Sequence, residues 1–190
     1  MRLRVAVGSV ALALTVALTA GCGAAAPPAP AAAVTDNPDC LAPQVLSDLG
    51  LVLDARIGTP HADAPDSGRM PDDFHPVSVL RCSVGGTLLD GAGIWGAVSQ
   101  TRLEGDLDPL LDALTLPSLR RADDCPRGTA ALPGLWLVDA LGRAVRPTVP
   151  TGECGAMRTE VATALAGLRE TDQADYPVQL ISKANPAKGE

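Results

Sequence analysis

"VSVLRCSVGGTLLDGAGIWGAVSQTRL" (residues 77–103) decides the fold, because two strand-like runs lie on either side of a glycine-rich segment. Apolar, β-branched and aromatic side chains predict a strand at 77–84, a turn at 85–91 and a returning strand at 94–103. The segment GDLDPLLDALTL (105–116) then places leucines at i, i+3, i+4 and i+7. That spacing is typical of a helix that buries one face, so the first unit is strand, strand, helix.

The same order of elements returns later in the chain. The sequence predicts strands at 135–139 and 144–149, the second with Pro147 in a position typical of a sheet edge, and then a helix at 157–168. A final strand is predicted at 176–182. Two successive strand–strand–helix units predict an α+β domain in which helices cover one face of an antiparallel sheet. The side chains expected in its core are Trp95, Leu110, Leu114, Leu135, Trp136, Leu137, Val161 and Leu165.

Three further elements are predicted upstream of the first unit. Apolar residues at helical spacing indicate a helix at 41–49, and Gly50 stands where a C-terminal cap is expected. Alternating side chains predict a strand at 51–57. The segment 58–76 has no periodicity and many turn-forming residues, so we expect a long exposed loop.

The N-terminus has the layout of a secretory signal. Arg2 and Arg4 precede an apolar run at 5–20 that contains no acidic residue. The run is shorter than the roughly 20 residues that a transmembrane helix needs, and no stop-transfer segment follows it. We therefore expect residues 1–21 to be a signal peptide that is cleaved.

The segment Leu18-Thr19-Ala20-Gly21-Cys22 resembles the bacterial lipobox, with its leucine one position further from the cysteine than the usual aliphatic residue. The resemblance implies that the Cys22 thiol carries diacylglycerol and that Cys22 is the mature N-terminus. Residues 23–35 have no charge and no side chain larger than valine, so they cannot bury enough surface to offset the entropy of ordering. We expect a lipidated cysteine and flexible tether at 22–35, followed by one globular domain at 36–190.

Four cysteines remain in the mature chain: Cys40, Cys82, Cys125 and Cys154. In an exported chain an even number of thiols favours disulfides, and no C-x-x-C spacing indicates a metal site. Four cysteines allow three connectivities. We favour Cys40–Cys82 and Cys125–Cys154, because each pair brackets one half of the chain and joins neighbouring elements.

Charge and composition argue against several classes of partner. Loss of residues 1–21 reduces the basic residues from 15 to 13 against 22 acids, which leaves a formal charge of −9. Such a surface repels nucleic-acid phosphates, so we expect no nucleic acid as a partner. The chain contains two Trp, one Tyr and one Phe, too few for a platform on which bases or sugars stack.

No catalytic motif is present in the sequence. The two histidines lie in the loop at 58–76, and neither a nucleophile elbow, a zincin helix nor a phosphate-binding loop occurs. Glu153 and Glu160 act as an acid/base pair only if folding brings them together. The loop also contains six side chains that are candidate ligands for a divalent cation. They are His61, Asp63, Asp66, Asp72, Asp73 and His75. Because their spacing matches no ligand pattern, we expect a solvated polar loop and no cofactor.

Leu88 and Leu89 stand between glycines in the predicted turn. Exposed apolar side chains mark interaction surfaces, so we expect these two leucines to contribute to one. The function predicted is a noncatalytic binding module, anchored by lipid to the extracytoplasmic face of the cell membrane. Its partners are the bilayer, through the anchor, and an envelope protein or other envelope component. The alternative is an envelope hydrolase that uses carboxylates or a loop-bound metal.

The stretch LWLVDALGRAVRPTVPTGECG (135–155) combines an apolar strand, a turn with aspartate and glycine, a strand with arginine and proline, and a cysteine before a helix. It resembles a stretch of exported actinobacterial lipoproteins of unknown function. The resemblance implies export and a disulfide at Cys154, and it carries no activity.

Overall fold

A computed structural model describes residues 29–58, 60–126 and 131–184, which form a single α+β domain with one antiparallel sheet of five strands. The strands are β1 (Pro76–Asp90), β2 (Gly93–Glu104), β3 (Gly134–Asp139), β4 (Ala144–Val145) and β5 (Arg169–Lys183), in the spatial order β4-β3-β1-β2-β5. The α-helices are α1 (Pro43–Asp48), α2 (Asp108–Leu114) and α3 (Thr159–Ala166), and a 3₁₀ helix spans Ala55–Ile57. The fold class and the two strand–strand–helix units are confirmed.

Helices cover both faces of the sheet. Side chains at alternate positions of a strand point to opposite faces. Val79 of β1 lies in an apolar cluster with α2 and α3, whereas its neighbour Leu80 lies in a second cluster with α1. The expectation that helices cover one face is therefore wrong. The reason is visible in β3, where Leu135–Val138 is an unbroken apolar run whose side chains divide between the two clusters, as expected of a strand buried on both faces.

Two disulfides link the chain as expected, Cys40–Cys82 and Cys125–Cys154. Cys40 and Cys82 are fully buried, and their bond fastens the segment before α1 to β1 inside the first cluster. Cys125 and Cys154 are half-buried and join the connection after α2 to the connection before α3. Each bond closes a loop of tens of residues and stabilises the fold by about 3 to 4 kcal/mol.

The β1–β2 turn is shorter than the sequence predicts. Instead of a turn over 85–91, β1 continues to Asp90 and β2 begins at Gly93. Gly85 lies at a shift in register of β1, where a Cβ would come within 2.7 Å of Ser99 Oγ. The glycines at 85 and 86 therefore mark an irregularity within a strand and not the end of one.

The segment between α1 and β1 differs from expectation in two ways. The predicted strand at 51–57 is wrong, because the Asp54 carboxylate accepts the Arg56 N–H and starts a 3₁₀ helix. The loop at 58–76 is not a freely exposed one, since its residues Ala64 and Phe74 are buried in the core.

The domain begins before residue 36. Ala32 is 5 % exposed and donates its N–H to the carbonyl of Arg69 at 2.8 Å, and Thr35 pairs with Ala144 at the β4 edge. A Cβ on Gly68 would lie 2.6 Å from the carbonyl oxygen of Pro30, so the two segments pack too closely for larger side chains. Residues 30–35, which were expected in the tether, therefore belong to the domain. The expected signal peptide and Cys22 lie outside the described residues.

Candidate binding surface

Beyond Cys82, β1 no longer pairs with β3. It pairs only with β2, which in turn pairs with β5. Its pairing with β3 ends at Cys82–Gly134, whereas its pairing with β2 continues to Asp90–Gly93. On the other side of β2, Gly93 pairs with Lys183 at the end of β5. The described chain therefore forms a three-stranded tip that extends beyond the main sheet.

Three apolar side chains are exposed together on one face of this tip. Leu89 is 80 % exposed and lies directly opposite Ile94, which is 41 % exposed. Gly96 shares the face of Ile94, and a Cβ there would lie 3.4 Å from the Cδ1 atom of Ile181, a residue that is 62 % exposed. Leu89, Ile94 and Ile181 are the tip patch.

The opposite face of the tip is packed. Leu88 is half-buried and lies opposite Trp95, which is 5 % exposed. The Trp95 indole donates to Asp90 Oδ1 at 2.8 Å, and the same oxygen accepts the N–H of Ala92 at 2.8 Å and of Gly93 at 3.1 Å. The indole bond, together with the backbone bonds, lowers the pKa of Asp90. This carboxylate therefore holds the turn and orients the tryptophan, while Leu88 points away from the patch.

Arg56 of the 3₁₀ helix covers the tryptophan. Its Cζ lies 5.6 Å from the centroid of the Trp95 ring, within the range of a cation–π contact. Asp54 fixes the guanidinium, with Arg56 Nε 2.8 Å from Asp54 Oδ1. That hydrogen bond lowers the pKa of Asp54 and raises the pKa of Arg56, so both groups stay charged. The packed face gives the tip a defined shape before any partner binds.

The candidate metal ligands of the loop do not come together. His61 Nδ1 lies 2.6 Å from Asp39 Oδ2, and Asp72 pairs with Arg69 at 2.6 Å. In the parts of the chain that the structure describes, no three His, Cys, Asp or Glu side chains form a group that could hold a metal ion. Of the six candidate ligands, His61 and Asp72 thus have partners within the protein.

The carboxyl groups whose pKa is shifted do not have the electrostatics of a general acid. Glu160 pairs with Arg158 at 2.6 Å, and this hydrogen bond lowers the pKa of Glu160 to about 2. Burial alone would raise the pKa of Asp139, but hydrogen bonds from Arg143 and from backbone N–H groups outweigh it and lower the pKa. A general acid at neutral pH needs a raised pKa. In every described carboxyl group whose pKa is shifted, the pKa is lowered. These shifts do not support the hydrolase alternative.

Sequence reasoning found Leu89 and missed the other two members of the patch. Ile94 and Ile181 lie in predicted strands, where an isoleucine is as consistent with a core position as with an exposed one. The sequence does contain a signal for Ile94, the D-G-A-G stretch between Leu89 and Ile94. Read as a short hairpin turn, it places these two residues opposite each other.

Comparisons of the chain with protein-family models, with curated proteins and with solved structures found no match. None of the helices in the described ranges is long and apolar enough to cross a membrane.

Proposed function

We propose that this chain is an exported lipoprotein that binds a protein of the cell envelope through the tip patch, with no catalytic activity of its own. The lipobox-like segment ending at Cys22 supports anchoring at the extracytoplasmic face of the membrane, and the two disulfides are consistent with an oxidising compartment. The observation that carries the binding role is the exposure of Leu89, Ile94 and Ile181 on one face of a braced tip.

The position of the patch suits a module that is tethered by its N-terminus. The N-terminal segment pairs with β4 through Thr35, whereas Ile181 belongs to β5 at the opposite edge of the sheet. Four strand spacings of roughly 4.8 Å separate these edges by about 19 Å. The tether therefore leaves the patch accessible to a partner.

The chemistry of the tip favours a protein partner. Three adjacent aliphatic side chains gain free energy when another apolar surface covers them, at roughly 25 cal/mol per Å² of area removed from water. The formal charge of −9 on the mature chain disfavours phosphate-rich partners. The partner we expect carries a complementary apolar patch.

Site-specific crosslinking in intact cells tests this proposal. A benzophenone amino acid at position 89 or 181 should give an adduct of one defined mass, and Ile181→Asp should reduce the adduct from position 89 at least about tenfold. The matched control is position 141, since Leu141 is 79 % exposed but lies in the β3–β4 turn. Equal adducts from 89 and 141, no adduct from 89, or an adduct at twice the mass of the chain itself would contradict a distinct partner at the tip.

A further inference from the structure

A second apolar surface lies on the other side of the domain. It is a groove of about 560 Å³, within the size range of small-molecule sites. Its lining includes Met70, Leu111 and Leu114, half-buried side chains that pack against the cluster of α2 and α3. Three prolines also line the groove, Pro117, Pro147 and Pro150.

Several polar side chains around this groove have partners within the protein. Thr115 Oγ1 donates to the carbonyl of Asp112 at 2.7 Å, and Ser118 Oγ accepts the N–H of Thr151 at 3.0 Å. Arg69 donates to the Asp72 carboxylate at 2.6 Å. A peptide or a sugar in the groove would lose hydrogen bonds to water with few to replace them. An aliphatic chain has none to lose.

The groove lies next to the point where the chain leads to its proposed anchor. Ala29 is one of the lining residues, and Cys22 is seven residues before it. Seven fully extended residues span at most about 25 Å. If Cys22 is held at the membrane, the groove lies within about that distance of lipid headgroups and tails.

We propose that this groove binds one acyl chain of a membrane phospholipid. The inference rests on the proposed anchoring at Cys22, which keeps the groove close to the bilayer. The occupant follows from the aliphatic lining, from the hydrogen bonds already made by the rim, and from the short distance to the membrane. The groove shares no lining residue with the tip patch.

Photolabelling of the full mature chain tests the groove. The probe is phosphatidylcholine with a diazirine in one acyl chain, presented in vesicles of this zwitterionic lipid that carry the acylated protein. After irradiation, we expect peptide mass spectrometry to place the label on Met70, Leu111 or Leu114. Thr148→Trp, at an exposed lining residue, should fill the groove and reduce labelling at least about tenfold.

Matched variants keep the result interpretable. Leu141→Trp adds the same ring at an exposed turn and should leave labelling unchanged. If the thermal midpoint of Thr148→Trp falls, Thr115→Trp serves as a second variant that fills the groove. Label outside the groove, or label insensitive to either groove tryptophan in a folded variant, would overturn the proposal.

The Cys22→Ala variant separates this inference from the proposed anchor. Mixed with the same vesicles at high concentration, the unacylated variant should still label the groove, more weakly than the wild type. Groove labelling in Cys22→Ala that is absent from the acylated protein would mean that the protein's own acyl chain fills the groove, which contradicts a phospholipid occupant. If the wild type carries no lipid but its groove is labelled, the anchor alone has failed.

Discussion

Asp90 is the residue on which the shape of the tip depends. Its Oδ1 atom accepts three hydrogen bonds, one from the Trp95 indole and two from backbone N–H groups of the turn. A carboxylate accepts these bonds better than a neutral carboxylic acid does. The order of the tip is therefore coupled to the ionisation of one side chain.

This coupling predicts a loss of tip order in acid. The pKa of Asp90 is lowered in the folded protein, mainly by the Trp95 indole bond. A lowered pKa means that the contribution of Asp90 is fully present above its unfolded value of about 3.9 and is lost as the pH falls through the folded value. The exchange rate of the Trp95 indole proton, measured by NMR and corrected for intrinsic pH dependence, should rise over that window.

The Asp90→Asn variant is the control for this prediction. Its amide oxygen does not titrate in this range, so the protection of Trp95 should be lower than in the wild type and constant with pH. An identical acid transition in Asp90→Asn would show that another group controls the tip.

Arg146 is the charged residue that ties the loop of residues 58–76 to the sheet. It is 7 % exposed, donates to the carbonyl of Pro65 at 3.0 Å and to Asp48 at 2.7 Å, and stacks on Trp136 at 5.7 Å. Its long side chain thus connects Pro65 of this loop to both α1 and β3.

Replacing Arg146 should destabilise the whole domain. Arg146→Ala removes the bond to Pro65 and the packing on Trp136, and we expect the free energy of unfolding to fall by about 2 kcal/mol. Asp48 is largely exposed and is rehydrated, so it adds little to the loss. Urea unfolding measures the change, and Arg169→Ala, at a residue with 78 % side-chain exposure, should stay within about 0.5 kcal/mol of the wild type. Equal effects of the two variants would contradict the bracing role.

At the scale of elements, α1 covers the face of the sheet that α2 and α3 leave open. Leu46 of α1 is 1 % exposed and Leu110 of α2 is 0 % exposed, on opposite faces of the sheet. α1 ends at a cap in which Gly50 adopts a positive φ of 70° and Leu51 donates its N–H to the carbonyl of Leu46. This C-terminal cap matches the glycine predicted from sequence.

Because helices cover both faces, leucine-to-alanine substitutions in α1 and in α2 should lower the free energy of unfolding to a similar extent. Leu46→Ala and Leu110→Ala should each lower the free energy of unfolding by about 2 to 5 kcal/mol, because each leaves a cavity in a closed core. Leu141→Ala, at an exposed turn, is the matched control and should change it by less than about 0.5 kcal/mol. A cost for Leu46→Ala as small as that of the control would mean that α1 does not close the second face.

The elements that could be predicted from sequence are those whose side-chain pattern is consistent with only one type of secondary structure. The leucine spacing of α2 and the apolar run of β3 have few alternatives, and both are confirmed. The alternation of apolar and polar side chains at 51–57 is equally consistent with a strand and with an irregular segment packed beside α1. Contacts of Leu51 and Leu53 with the core cluster around α1 favour the irregular segment. Leu88 lies opposite Trp95 on the packed face and not beside Leu89 in the tip patch, because adjacent residues of a strand point to opposite faces.

At the scale of the whole molecule, the two surfaces have different surroundings. The tip patch lies on β2, β5 and the end of β1, braced by Asp90, Trp95 and Arg56. The groove lies beside Ala29, where the chain leads toward Cys22. In our proposal the groove is close to the bilayer and the tip is available to an envelope protein. The proposed function requires that the chain is exported, acylated at Cys22 and oxidised.

Intact mass spectrometry of the protein purified from the membrane fraction tests that requirement most directly. We predict a chain that begins at Cys22, carries the mass of the acyl groups, and contains four cysteines that do not react with an alkylating reagent before reduction. A chain that retains residues 1–21, carries no lipid and alkylates at all five cysteines would contradict the account.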